Sequence, residues 1–396
     1  MIANETDPFG SLFSGGSRWL RADFHLHTQE DRQFANPDET IPYYEKYVER
    51  LSDECVTIGV VTNHNKFILP EFKKLRKQAR RQQILLLPGV ELGIQGGKSG
   101  VHLLVCFDPS TWIGNKEQED FINRFLDKAF DQIANRESKD TNCTWTLGQL
   151  LEELKKSEAK GRRAFVIPAH VDQSKGLFQE MGSSMGEFFD ESFCHFIPAV
   201  QKATSRDNWM QLKQWTGSDW KPARVEGSDC KNLEGVGAAH CIDGQPRECW
   251  LKLGSLNFDA VLLALRLHEV PRVAPVRPEH QAPFIRSITV NGKLLQSHRV
   301  EFSADMSNLI GVRGSGKSSL VECLRYALDL KLGSVTDQAG YKEGLVERTL
   351  GSGGKVVVEL MDRHGERYTI ERVLRESPKV MKGGELIPNL KPSSLV

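Results

Sequence analysis

The stretch Arg21–Gln29, RADFHLHTQ, places Asp23, His25 and His27 at every second position. Alternate side chains of a β-strand share a face, so a strand here aims one carboxylate and two imidazoles at one spot. Core strands do not normally carry such a row, because each buried polar group must find a partner or cost free energy. The strand is therefore expected to end on a site, and the rest of the chain must supply its surroundings.

Working outward, short apolar runs alternate with amphipathic segments. VTIGVVT (Val56–Thr62) reads as a buried strand. PEFKKLRKQARRQQ (Pro70–Gln83) reads as a helix with Phe72, Leu75 and Ala79 on one face. ILLLPGVEL (Ile84–Leu92), VHLLVCF (Val101–Phe107) and RAFVIPAH (Arg163–His170) read as strands, and TLGQLLEELKKSEAK (Thr146–Lys160) as a helix. This alternation implies βα units forming an α/β fold with a mostly parallel sheet or barrel. VPRVAPVRPEHQAP (Val270–Pro283) carries four prolines and reads as a linker. The expected organisation is a loose Gly/Ser-rich arm over 1–18, a first domain over 19–273, a linker over 274–283 and a second domain over 284–396.

Composition narrows the classes. The hydrophobic content of 39% and charged content of 26% suit globular domains with real cores. No apolar run is long enough to span a bilayer and no signal peptide is present, so a cytoplasmic protein without a membrane partner is expected. The formal net charge is zero. The mildly basic segment beyond Val276 does not by itself argue for nucleic acid. The eight cysteines include no CxxC pair and read as buried, reduced thiols.

The chemistry-bearing residues fall at strand ends. His25 and His27 end the first strand, and His64, in TNHN, ends the second. Glu91 follows LLLPGV, His102 begins VHLLVCF, His170 ends FVIPAH, and Asp229 sits in VEGSDCK. In a barrel of βα units the strand ends converge on one rim, where active sites lie. Five histidines and two or more carboxylates on such a rim make a metal site suited to zinc, manganese or iron. His195, His240, His268, His280, His298 and His364 read as ordinary core or surface histidines. The basic helix residues Lys73, Lys74, Arg76, Lys77, Arg80 and Arg81 offer a nucleic-acid track, but a solvated outer face is the favoured reading. Lys202 and Arg206, after FIPAV, are weaker candidates for phosphate contacts.

The set resembles the PHP (polymerase and histidinol phosphatase) family of metal-dependent phosphoesterases over Trp19 to about Val273. DFHLHT is similar to that family's opening DxHxH motif, LLPGVEL to its metal-bridging glutamate motif, and IPAH to its later histidine motif. The resemblance implies a distorted (β/α)7 barrel. It implies that His25, His27, Glu91 and Asp229 hold one ion, and that Glu91, His102 and His170 hold a second, with Glu91 bridging. The family's second motif ends Asp-His where this chain has Asn63-His64, and its last reads Ser-Asp-x-His where this chain has Ser228-Asp229-Cys230-Lys231. An amide is a weaker ligand than a carboxylate and an ammonium repels a cation. Two ions are therefore expected, with Lys231 available to hold a substrate phosphate oxygen as a point charge. Hydrolysis of a phosphoester by a metal pair is the implied reaction.

The second domain contains Gly311-Val-Arg-Gly314-Ser315-Gly316-Lys317-Ser318-Ser319, which fits GxxxxGK[ST] between an apolar run expected to be a strand and an amphipathic helix. Glycines let backbone N–H groups wrap phosphates, Lys317 reaches the terminal phosphates, and Ser318 coordinates Mg²⁺ with bound ATP. Asn291-Gly292 between alternating runs signals a hairpin. VVVELMD is expected to pair with Tyr368–Val373 through a turn at Asp362 rather than to hold Mg²⁺. This half resembles the N-terminal lobe of an SMC-like ABC ATPase. The whole chain resembles the PHP-ATPase proteins, the TrlF-like family, with CWLKLGSLNFDAVLLAL (Cys249–Leu265) as the segment before the ATPase. That resemblance implies a nuclease coupled to ATP, with a second copy or a separate ATPase half as partner. The signature motif, acidic strand and C-terminal lobe of such ATPases are absent from the sequence, so a fragment or one half of a split ATPase is expected.

Overall fold

The computed structural model describes residues 9–35, 42–114, 120–138, 140–218, 220–242, 245–267, 272–279, 281–331 and 336–396. His268 and His280 lie outside the described residues. The chain forms two compact units, Met1–Phe9 with Trp19–Pro278, and Gly10–Arg18 with Glu279–Val396. Within the segment expected to be a loose arm, Gly10–Phe13 forms a 3-10 turn. No helix among the described residues is long and apolar enough to cross a membrane.

The first unit is mixed α/β, built on a curled seven-stranded half-barrel sheet. Its order is Val273–Ala274, Cys249–Leu253, β1 (Arg18–Leu26), β2 (Val56–Val61), β3 (Leu85–Ile94), β4 (Val101–Phe107) and β5 (Ala164–Pro168). β1, β2 and β3 run parallel, whereas β4 is antiparallel to both β3 and β5. This corrects the expected mostly parallel sheet. Only residues 95–100 separate β3 from β4, and a parallel crossover needs about a dozen residues or more. Ala199–Gln201 and Ala223–Val225 form a separate parallel pair.

The parallel crossovers follow the apolar periodicity. α1 (Tyr43–Asp53) buries Tyr43, Tyr47, Val48 and Leu51, and α2 (Leu69–Arg81) buries Phe72, Leu75 and Ala79. Each large apolar side chain so covered contributes about 1.5–3 kcal/mol. The opposite face of α2 exposes Lys73, Lys74, Lys77, Arg80 and Arg81. Helix Leu147–Glu158 starts at a capping box in which Thr146 and Gln149 satisfy each other's backbone donors. β3 is buried at every position, so both of its faces are covered. Glu91 thus lies in an otherwise apolar strand.

The loop 226–229 is stitched to the end of β1. Phe24 N donates to Glu226 O at 3.3 Å and Asp229 N to His25 O at 2.8 Å. Gly227 permits this approach, since a Cβ there would lie 2.5 Å from His25 N.

The second unit is a six-stranded antiparallel sheet in the order His298–Glu301, Phe284–Asn291, Lys355–Met361, Arg367–Val373, Lys379–Lys382 and Glu385–Leu386. Val356, Val358 and Leu360 alternate inward to meet Leu320, Cys323 and Ala327 of helix Lys317–Ala327. Lys355–Met361 pairs with Arg367–Val373 as expected, and Asp362 turns the chain, with Gly365 N donating to Asp362 O at 3.1 Å. The hairpin around Asn291-Gly292 is wider than a two-residue turn, because pairing closes at Val290–His298. The expected strand before the glycine loop is not formed. Met306–Val312 joins no sheet, and Met306, Ile310 and Val312 are exposed. All eight cysteines are free, but Cys55 and Cys241 are exposed rather than buried.

Candidate metal centre

The first unit brings five imidazoles and two carboxylates together around Glu91. Its two oxygens face different partners. Oε2 lies 3.3 Å from His25 Nε2, 3.6 Å from His27 Nε2 and 3.9 Å from His64 Nδ1. Oε1 accepts a hydrogen bond from His102 Nδ1 at 2.8 Å and lies 3.6 Å from His170 Nε2. Asp229 Oδ1 stands beside the first group, 3.1 Å from His27 Nε2 and 3.7 Å from His25 Nε2. Two sets of potential ligand atoms are tight enough to share an ion: His25, His27 and Glu91, and His64, Glu91 and His102.

Burial opposes the charge on Glu91, but His25, His102 and His170 hold its carboxyl well below the usual range. Asp229 is likewise held low against burial by His25, His27 and Lys231. Burial lowers His170, and it lowers His64 to about 4, which leaves these imidazoles neutral and able to ligate. His25 Nε2, His64 Nδ1, His102 Nε2 and His170 Nδ1 are buried without a hydrogen-bond partner. Such atoms are costly to leave unsatisfied, and a divalent cation satisfies them. The donor set of imidazole nitrogen and carboxylate oxygen fits zinc, manganese or iron.

A further layer aims these rings. His27 Nδ1 donates to Asp31 Oδ2 at 2.9 Å, and Asp31 also accepts from His64 N at 2.6 Å. Despite burial, the bond from His27 holds the Asp31 carboxyl down to about 2, so Asp31 stays an acceptor. His25 Nδ1 bonds Gln201 Oε1 at 3.0 Å. In both rings Nδ1 is engaged and Nε2 turns to the centre, the arrangement by which outer groups orient metal-binding histidines. Asp31 and Gln201 escaped sequence reasoning, since neither follows a periodic pattern; the i, i+4 offset of Asp31 from His27 is the one signal available. His240, read as ordinary, is half-buried beside this loop, lowered by burial and by Lys202, with Nε2 unpartnered.

Some expected roles change. Asp23 does not reach the centre with His25 and His27. Its Oδ1 accepts from His25 N at 2.9 Å and Ser228 N at 3.1 Å, tying β1 to the Asp229 loop. The Asn63 amide is spent on Thr28, accepting from its N and donating to its Oγ1, each at 2.8 Å. Lys231 turns inward, its Nζ 2.8 Å from Asp229 Oδ1. Lys202 reaches Asp229 Oδ2 at 3.6 Å, whereas Arg206 opens helix Arg206–Thr216. Asn65, His170, Lys202 and Asp229 all hold left-handed backbone, with φ of 52°, 30°, 54° and 50°. Strain of this kind costs about 1–3 kcal/mol per residue and clusters at functional sites.

In the second unit Gly311, Gly314 and Ser315 lie on an exposed loop that enters helix Lys317–Ala327, with Ser318 and Ser319 in its first turn. Gly316 caps the helix at φ 87°, a conformation open to glycine. Lys317 Nζ lies across the loop, donating to Gly311 O at 2.6 Å and Val312 O at 2.9 Å.

Burial disfavours charge on His27, but the hydrogen bonds it donates to Asp229 and Asp31 outweigh it and push its pKa up to about 9. The metal-free protein therefore holds a proton on His27 below that pH, and a bound ion must displace it. Manganese affinity is expected to rise with pH up to about 9, with roughly one proton released on binding. Calorimetry in buffers of different ionisation heat measures this; a binding heat independent of buffer contradicts it.

No family model matches the chain, and no curated protein matches it. Among solved structures, a two-domain protein from Bacteroides vulgatus containing a predicted PHP-like metal-dependent phosphoesterase is 13% identical at a TM-score of 0.37, covering 65% of this chain and 65% of that one. A protein of Bifidobacterium adolescentis described as a metal-dependent phosphoesterase is 13% identical at 0.37, covering 62% and 96%. An amidohydrolase from Chromobacterium violaceum is 13% identical at 0.34, covering 56% and 92%. What the centre can do rests on its own geometry.

Proposed function

We propose that the first unit is a metal-dependent phosphoesterase of the PHP type, and that its substrate is a phosphoester, with a nucleic-acid strand the leading candidate. The carrying observation is Glu91, whose two oxygens face separate sets of imidazoles, as a carboxylate bridging two ions does. His25, His27, Glu91 and Asp229 would hold one ion, and Glu91, His102 and His170, with His64 near, the second. A bound metal pair supplies Lewis acidity and water activated near neutral pH. Asp31 and Gln201 keep the His27 and His25 rings aimed, so the donors are positioned before substrate arrives. The nucleic-acid preference rests on the sequence resemblance of residues 284–396 to an SMC-like lobe.

For that unit the proposal extends to ATP with Mg²⁺ at Gly311, Gly314, Ser315, Gly316, Lys317, Ser318 and Ser319. A second copy or a separate ATPase half would complete the site. One observation favours a competing reading, a non-catalytic module that assembles with a partner: the Lys231 ammonium rests on the ligand candidate Asp229.

Incubation with Mn²⁺ and a panel of DNA, RNA, nucleotides and generic phosphoesters separates the two. Glu91→Ala should lower turnover by more than about a hundredfold and reduce metal content, since even outer partners of metal ligands are worth about 10- to 100-fold. Unchanged turnover at matched folding contradicts the enzyme reading. Binding of a fluorescent ATP analogue should vanish in Lys317→Ala, while the unmodified protein turns ATP over slowly. Rapid hydrolysis by the isolated chain that Lys317→Ala removes would contradict the need for a second copy or a separate ATPase half.

A further inference from the structure

Asp229 stands between two ammonium groups. Lys231 Nζ lies 2.8 Å from Oδ1, and Lys202 Nζ lies 3.6 Å from Oδ2. Oδ1 is also the oxygen facing His27 Nε2 and His25 Nε2. It is therefore the Asp229 atom that an ion shared with those imidazoles would engage. A divalent ion on Oδ1 would repel the Lys231 ammonium that rests on the same oxygen and weaken its hold there.

The two lysines are built differently. The Lys202 side chain is 11% exposed, and its backbone is left-handed at φ 54°. It directly follows Gln201, which holds His25, and its charge also faces the buried Glu226. Lys202 is thus fixed in place and suffices to accompany Oδ2. The Lys231 side chain is 41% exposed, on a flexible stem at the rim of the centre. It is the group free to change partner.

We propose that Lys231 is the phosphate-holding residue of this centre and that it exchanges partners: it rests on Asp229 in the metal-free protein and turns to a phosphate oxygen of the substrate once Asp229 Oδ1 is engaged by a bound ion. Lys202 stays on Oδ2 as a positioning residue. The ligand class is an anionic phosphoryl group, which an ammonium holds by a charge-assisted hydrogen bond. Anion capture is thereby tied to metal loading. The inference rests on the phosphoesterase reading, and it gives a use to the ammonium that otherwise argues against catalysis.

Inorganic phosphate, titrated calorimetrically into metal-free and Mn²⁺-loaded protein, tests it. Loading should strengthen phosphate binding. In the loaded protein Lys231→Ala should weaken it by roughly tenfold or more, the worth of a hydrogen bond to a charged group. Lys231→Arg should retain most of the affinity. Metal content by elemental analysis should be unchanged in both variants, which separates anion binding from loss of the centre. Unchanged phosphate affinity in loaded Lys231→Ala, at unchanged metal content, overturns the proposal and leaves the phosphoesterase reading standing. Equal phosphate affinity with and without metal overturns the partner exchange. A protein that takes up no metal overturns both.

Discussion

The first unit depends on one buried charge. Glu91 is 3% exposed in a strand whose every other residue is also buried. An isolated carboxylate in such a place would be protonated or would destabilise the fold, because desolvation of a charge is severe. Here His25, His102 and His170 hold it ionised. These rings come from β1, the start of β4 and the second residue after β5, so the curled sheet is what gathers them. The same set leaves buried imidazole nitrogens with no hydrogen-bond partner. A site that is well paired for its carboxylate yet incomplete for its nitrogens is one shaped for cations.

The surrounding layer serves placement. Asp23 and the close approach at Gly227 lock the Asp229 loop to β1, and Asp31 and Gln201 select which nitrogen of His27 and His25 faces inward. Tyr47 adds a hydrogen bond from its hydroxyl to His27 O at 2.9 Å. The left-handed backbone at His170, Lys202 and Asp229 is affordable because packing and hydrogen bonds over-determine those positions. The second unit is organised by simpler means, alternating apolar residues on an antiparallel sheet under one helix, with a glycine loop at the helix start.

Period-two placement of His25 and His27 was legible because a strand imposes it, and apolar periodicity located β2, β3, β4, α2 and the Leu147–Glu158 helix to within a few residues. The antiparallel turn from β3 into β4 was open to inference from its short connection, but alternation of elements pointed the other way. Asp23 shows the limit of face arguments: it shares the repeat with His25, yet the backbone amides of His25 and of Ser228, some two hundred residues away, claim its carboxylate. Gln201 could not be found by pattern, since its importance arises from a loop that meets β1 in space, whereas Lys202 was within reach because it follows the apolar run FIPAV. LIGV read as a strand on composition, but a strand needs a neighbour, and among the described residues Met306–Val312 has none.

The central claim is that Glu91 bridges two ions. Anomalous diffraction from crystals of the unmodified protein soaked in Mn²⁺ tests it directly. Two peaks are expected, one beside His25, His27 and Asp229 and one beside His102 and His170, roughly 3.5–4 Å apart across the Glu91 carboxylate, as in two-metal hydrolytic sites. A single peak, or manganese bound away from Glu91 in a folded crystal, would contradict the account.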